Sequence, residues 1–268
     1  DWLSWQEQCH VKEIDLGLER VARVYQHLKP VPSRDTYTIT VAGTNGKGSC
    51  VALLEAILIS AGYQVGVYST PHISIYNERV RVNGKPVSDI LLTASFSRIN
   101  NARQDTSLSY FEFGTLAALD IFSGQKVDIQ ILEVGLGGRL DAVNIVDANA
   151  TLISSISVDH IDWLGDDLQQ IALEKAGVFR TDQTAVCGDK TVPTSLIDYA
   201  KKLGTKLVLA GHDFDFNVED NGWRLIAENS FAGHYPLPSL QGAHQIQNAS
   251  AVINLLAQIQ RDITVTKQ

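Results

Sequence analysis

Thr38-Ile39-Thr40-Val41-Ala42-Gly43-Thr44-Asn45-Gly46-Lys47-Gly48-Ser49 runs from an apolar, β-branched segment directly into three glycines, a lysine and a hydroxyl. Such a stretch reads as a phosphate cradle. Glycines let successive backbone N–H groups turn toward one anion, and the following helix offers its positive end. Lys47 adds a point charge, and Ser49 can reach a magnesium ion. The strict P-loop spacing is not met, because Val41 stands where its first glycine would fall and Gly48 where the hydroxyl after the lysine would. The competing reading is a glycine-rich turn that only joins a strand to a helix. The flank favours nucleotide binding: Val51, Leu54, Ile57, Leu58 and Ala61 recur at helical spacing, and Gly62 stops the run.

With 268 residues, 44% of them hydrophobic, the chain is long enough for one large α/β domain or two small ones. A formal charge of −8 argues against a dominant nucleic-acid or acidic-membrane surface. Cys9, Cys50 and Cys187 are odd in number and show no CxxC spacing, which points to neither a disulfide framework nor a thiolate zinc site and suits a reducing cytoplasm. No apolar run reaches the roughly 18 residues of a membrane span, and the first six residues lack the basic start and apolar core of a signal peptide. Methionine is absent altogether, so the natural chain is expected to begin upstream of Asp1.

Along the chain, Asp15 is expected to cap a helix over 16–28, ended by Lys29-Pro30-Val31-Pro32. A short strand at Val65–Tyr68 is followed by a polar loop with a hairpin, 69–86, whose Thr70, Pro71, His72, Arg79 and Arg81 suit a substrate loop. Helices are expected near 88–102 and 110–122. The apolar runs 127–134 and 150–157 read as buried parallel strands. The first runs out into Glu133-Val134-Gly135-Leu136-Gly137-Gly138-Arg139-Leu140-Asp141 and the second into Val158-Asp159-His160. In open α/β sheets, ligands sit beyond the carboxyl ends of the strands, where both motifs and the cradle fall. A helix over 167–177 carries Glu174 and Lys175, and strands at 184–187 and 206–209 flank a helix begun by Pro193. Asp220-Asn221-Gly222 signals a hairpin whose strands are expected to join the sheet, and a last apolar helix opens near Gly242. The fold class is thus α/β: a P-loop, a mostly parallel sheet flanked by helices, and an added antiparallel section near 214–237.

Taken singly, Glu133 reads as a solvated carboxylate, His160 as a hydrogen-bonded structural residue and Lys175 as surface charge. Phe111 and Phe113 read equally well as core packing. In order, however, AGTNGKGS, STPH, YFEFGT, LEVGLGGRLDAVN, SVDHIDWLG, EKAGVF and GAHQIQNA resemble dihydrofolate synthase/folylpolyglutamate synthase, a branch of the Mur ligase superfamily. The resemblance covers the chain from Ile14 to the helix of Asn248. Glycine after the loop lysine is the normal form there, so the departure from the strict pattern becomes support. The resemblance implies that Gly43, Thr44, Asn45, Gly46, Lys47, Gly48 and Ser49 bind the ATP phosphates, and that Asn248 meets the adenine. It implies Ser49, Thr70 and Glu133 on a first magnesium and His160 on a second. It implies that Lys175 is carbamylated, which demands a neutral amine. Ser109, Phe111 and Asp141 would hold a pterin.

The reaction so implied is ATP-dependent amide ligation through an acyl phosphate, joining L-glutamate to dihydropteroate; whether reduced folates are also extended is left open. The expected enzyme is a cytoplasmic monomer without nucleic-acid or membrane partners. Rival readings are a P-loop kinase or NTPase and a nucleotide- or pterin-binding module without catalysis. Residues 1–260 would form the ATP- and pterin-binding domain, 261–268 the start of a linker, and a C-terminal glutamate-ligase domain would lie beyond, so this chain alone is expected to bind without ligating.

Overall fold

In the computed structural model, which describes residues 1–12, 14–28, 36–159, 163, 165–239 and 242–267, one eight-stranded sheet carries the molecule. Its strands are β1 (Tyr37–Ala42), β2 (Val65–Tyr68), β3 (Val80–Val82), β4 (Lys85–Pro86), β5 (Ile129–Glu133), β6 (Ala150–Ile153), β7 (Thr184–Cys187) and β8 (Lys206–Leu209). They lie in the order β4-β3-β2-β5-β1-β6-β7-β8. All pairings from β2 through β8 are parallel, whereas β3 and β4 extend one edge antiparallel. Chain order places β2 and β5 on one side of β1 and β6 to β8 on the other. The sheet therefore reverses direction beside β1, the position at which open α/β sheets bind ligands.

Both faces of the central strands are covered, so their sequences are largely apolar and β-branched, and the buried Gln130 side chain donates to the Thr38 hydroxyl of the neighbouring strand. Ile39, Val41, Ile131 and Leu152 point to one core, shared with Leu54 and Leu58 of α3 (Lys47–Ser60). Leu132 and Ile153 point to the other, built from α2 (Glu19–Leu28), α4 (Asp89–Arg103), α5 (Tyr110–Gln125), α6 (Leu168–Ala176) and α7 (Thr194–Leu203); a short helix α1 (Trp2–Gln6) packs on it. The last helix, α8 (Ala243–Gln258), lies with α3 on the first face, where Leu255 and Leu256 are buried. Each such fully buried Leu or Ile contributes about 1.5–3 kcal/mol. No described helix is long and apolar enough to cross a membrane.

Two sequence expectations change. The hairpin β9 (Phe214–Glu219) and β10 (Gly222–Ala227) does not extend the main sheet; with β11 (Gly233–Tyr235) it forms a separate three-stranded sheet. Trp223 anchors it, stacking on Tyr235 at 5.1 Å, donating to the Pro236 carbonyl and burying itself against the α3/α8 core, and this apolar contact holds the small sheet apart. Helix α2 starts at Glu19, not after Asp15, because the Asp15 carboxylate is engaged by Arg20 at 2.6 Å and by His10 at 3.0 Å instead of by a helix terminus. The expected helix stop at Lys29 to Pro32 lies outside the described residues, as does His160.

Gly66 in β2 faces Phe122, and a Cβ there would lie 2.6 Å from the ring. Phe122 is fully buried and has nowhere to retreat. Gly66→Ala is therefore expected to destabilise the fold by about 1–3 kcal/mol. The check is a lowered urea midpoint with an unchanged slope.

Candidate active site

The loop after β1 is seated on the exit of β6. The Thr44 N–H donates to the Ser155 carbonyl (2.8 Å) and the Asn45 N–H to the Ser155 hydroxyl (3.0 Å), while Ser154 donates back to the Asn45 carbonyl (2.7 Å). The Thr44 hydroxyl accepts from the Ser157 N–H and donates to the Ser157 carbonyl, each at 3.0 Å. Gly46 then turns into α3 with φ of 86°, a left-handed conformation that glycine adopts without cost, and supplies no side-chain cap. The first-turn N–H groups of α3 are thus left to an anion. Lys47 folds back along the loop, its ammonium 3.0 Å from the Gly43 carbonyl and 3.1 Å from that of Thr44. Gly48 is exposed and Ser49 half-buried at the same edge. Asn248 of α8 is buried directly against the loop: a Cβ on Gly46 would lie 2.5 Å from its Oδ1.

Glu133 ends β5 with only 3% of its surface exposed. Its Oε2 accepts the Thr70 N–H at 3.2 Å, and its Oε1 lies 4.0 Å from where a Cβ on Gly48 would stand. Burial pushes its pKa up, opposed by the Thr70 N–H and by the positive charges of Lys47 and Arg81. A desolvated carboxylate beside a phosphate cradle and the Ser49 hydroxyl is a donor set that suits a hard cation. Among the described residues no three His, Cys, Asp or Glu side chains converge, so such a cation would have to draw on phosphate oxygens as well. The Thr70 hydroxyl accepts from Arg79 at 3.1 Å, so it is this residue's backbone that faces Glu133.

Lys175 lies in the last turn of α6 and is 3% exposed. The loop after β5 wraps it: the Arg139 N–H donates to the Glu174 carbonyl, and a Cβ on Gly138 would come within 3.2 Å of the Lys175 Cα. Burial, reinforced by the nearby Lys47 ammonium and opposed by Asp159, lowers the Lys175 pKa to about 8. Its amine is therefore partly neutral near physiological pH, the state in which it can react with carbon dioxide.

A cavity of about 780 Å³ opens beside this edge and brings together Thr70, Ser109, Phe111 and Asp141. Asp141 is buried, and its carboxylate already organises the loop after β5. Oδ2 accepts the Gly135 and Leu136 N–H groups, both at 2.9 Å, and Oδ1 that of Val143 at 3.0 Å. Burial outweighs these three donors and lifts the carboxyl pKa to about 6. Ser109 caps α5: its hydroxyl accepts the Glu112 N–H while the Glu112 carboxylate takes the Ser109 N–H, a reciprocal box. Phe111 presses on Gly135, where a Cβ would lie 2.7 Å from the ring. His72 and Arg79, from the loop whose sequence suits a substrate, line the wall together with Tyr110; Arg79 donates to His72 Nδ1 at 2.8 Å with its guanidinium over the Tyr76 and Tyr110 rings. Gln6, at the end of α1, also reaches this cavity. A glutamine closing a five-residue helix carries no signal of such a place.

The chain is similar to known proteins. Residues 41–256 match the Mur ligase middle domain. The chain is 48% identical over 240 residues to the dihydrofolate synthase/folylpolyglutamate synthase of Escherichia coli (strain K12), covering 88% of this chain and 56% of that protein. Thus it spans about half the length of the curated relatives it matches. Among solved structures, E. coli FolC in complex with DHPP and ADP superposes with a TM-score of 0.90 at 44% identity, over 99% of this chain and 63% of that one. A bifunctional folylpolyglutamate synthase/dihydrofolate synthase with Mn, AMPPNP and L-glutamate bound superposes with a TM-score of 0.85 at 43% identity, over 99% and 62%.

The buried lysine gives a pH signature. The folded chain releases the Lys175 proton near pH 8, whereas the unfolded chain holds it to about 10.5, so between these values the unfolded state binds more protons and the native state gains stability as pH rises. In carbon dioxide-free buffer, Lys175→Met is expected to be more stable than the unsubstituted protein at pH 7 by about 1–3 kcal/mol. That advantage should shrink as the pH is raised through 8. Urea denaturation at a series of pH values checks this, and a pH-independent difference would contradict it.

Proposed function

Since the chain belongs to the Mur ligase family, we propose that it forms the ATP- and pterin-binding part of an ATP-dependent amide ligase that joins L-glutamate to dihydropteroate and extends reduced folates. The observation that carries this reading is the convergence, at one sheet edge, of the Gly43–Ser49 cradle, the buried Glu133 and the buried Lys175 beside the 780 Å³ cavity. The DHPP and ADP bound to one related structure, and the Mn, AMPPNP and L-glutamate bound to another, support it.

In this reading, the cavity holds the pterin and directs the carboxylate of the substrate toward the loop. Gly46 and Gly48 present backbone N–H groups to the phosphates, while Gly43, Thr44 and Asn45, the last two with their N–H groups held by Ser155, shape the loop around them. Lys47 leaves the Gly43 and Thr44 carbonyls to pair with the β/γ oxygens, and Asn248 supports the loop from below and borders the adenine. Ser49 and Glu133 would hold magnesium, joined by Thr70 once its hydroxyl leaves Arg79, with His160 beside a second ion. When bound, such a cation neutralises charge on the phosphoryl group in flight. The carboxylate oxygen attacks the γ-phosphorus and ADP leaves; the amine of glutamate then displaces phosphate from the acyl carbon and loses a proton. A carbamate on Lys175 would turn a cation into an anion able to face the metal region. Phe111, Ser109 and Asp141 shape the pterin end.

Residues 1–260 are, on this account, one binding domain. Ile263 and Val265 of the segment that follows still pack on this domain's core, and in this reading residues 1–268 bind ligands while the groups that close the glutamate side belong to the further length of the longer relatives. We take the protein to act as a monomer in the cytoplasm, where Cys9, Cys50 and Cys187, all free, stay reduced.

The test is phosphate release by the full-length protein. Dihydropteroate should give release that requires L-glutamate, and comparison with tetrahydrofolate reports the second activity. Turnover without glutamate, or a stable phosphorylated product, would instead indicate a kinase or NTPase. Glu133→Gln is expected to lower glutamate-dependent release by at least about 100-fold while the protein stays folded by circular dichroism, since the side chain ends a strand beside the cradle. Full activity in that variant would remove Glu133 from the mechanism.

A further inference from the structure

Almost every polar side chain in the wall of the large cavity is already engaged. Asp141 accepts three backbone N–H groups, Ser109 is locked in its cap with Glu112, and Arg79 is held by His72 and Thr70. His10 is bound between Ser107 and Asp15. Among those that are buried, Gln6 is the exception. It is 1% exposed, it lines the cavity, and neither its carboxamide nitrogen nor its carboxamide oxygen has a partner among the described residues.

The side chain is held there by its helix. Asp1 caps α1, Trp5 of the same turn meets Phe113 edge-on at 5.8 Å, Trp2 packs on Phe96 at 5.9 Å, and Arg103 lies over the Trp5 ring. With two indoles pinned to the core, the carboxamide of Gln6 cannot swing out to water without undocking α1. A buried amide left without hydrogen bonds is costly, and an apolar residue of similar size would avoid that cost. An amide in this position is therefore suited to a ligand that completes it.

A carboxamide offers one acceptor and one donor side by side, so its complement is an edge with a donor next to an acceptor. A carboxylate or phosphate supplies acceptors only and would leave the Gln6 oxygen unpaired. The amino-oxo-pyrimidine edge of a pteridine supplies both. We propose that Gln6 is a specificity-determining residue of this cavity, reading the pteridine head of the substrate through a paired hydrogen bond, while Asp141 builds the loop beneath it. The inference rests on the reading of the cavity as a folate site.

The experiment uses the full-length protein with Gln6→Leu and, as a second apolar replacement, Gln6→Met. Calorimetric titration with 6-hydroxymethylpterin, dihydropteroate, 4-aminobenzoate and ADP is paired with thermal unfolding of the ligand-free proteins. Both variants should bind 6-hydroxymethylpterin and dihydropteroate about tenfold or more weakly, bind ADP unchanged, and unfold at the same temperature or higher. Undiminished pterin binding by either variant would overturn the proposal, as would weakening confined to 4-aminobenzoate. Lower unfolding temperatures in both variants would assign Gln6 to the scaffold and equally overturn it. If the unsubstituted protein binds ADP but no pterin, the reading of the cavity itself fails, and this inference with it.

Discussion

Two glycines in the loop after β1 sit where nothing larger fits, and the whole carboxyl edge of the sheet depends on the close packing they permit. At Gly43 a Cβ would stand 2.1 Å from the Ser154 hydroxyl, and at Gly46 it would stand 2.5 Å from Asn248. Both residues have positive φ. The loop can therefore press against the exit of β6 on one side and α8 on the other; its carbonyl and N–H groups meet Ser154 and Ser155, and the Thr44 hydroxyl meets Ser157, instead of water. That seating fixes the start of α3 in front of Glu133. It also sets Lys47 close enough to Lys175 for one ammonium to depress the pKa of the other.

The site is an electrostatic compromise. Lys47, Glu133, Asp141 and Lys175 crowd one edge, three of them almost wholly buried. Burial raises the two carboxyl groups and lowers the lysine, so in each of them the charged form is less favoured than it is in water. Such opposed shifts cost stability in an empty protein. They are useful where phosphate and cation arrive together, because then the same groups find charges to balance.

Much of this could be read from the sequence, and for definite reasons. A parallel strand buried on both faces must be apolar and β-branched, so β1, β5 and β6 announce themselves, and the cradle follows the first of them at once. The rest was hidden because it depends on tertiary partners. Asp15 has the chemistry of a helix cap, yet Arg20 and His10 claim it. Ser109-Tyr110-Phe111-Glu112 carries a capping-box signature that explains the serine without a ligand, and Asp141 has three N–H donors that only the folded loop supplies. The separate sheet of β9 to β11 follows from the burial of Trp223, which no local pattern reveals. Gln6 closes a five-residue helix, and that its side chain turns inward is visible only in three dimensions.

The central claim is that this edge activates a carboxylate by phosphoryl transfer before an amine takes its place. Isotope tracing tests it directly in the full-length protein. Dihydropteroate labelled with ¹⁸O in its carboxylate is turned over with ATP and L-glutamate, and the released phosphate is analysed by mass spectrometry. An acyl phosphate requires that one labelled oxygen leave with each phosphate. Amide formation accompanied by unlabelled phosphate would contradict the account.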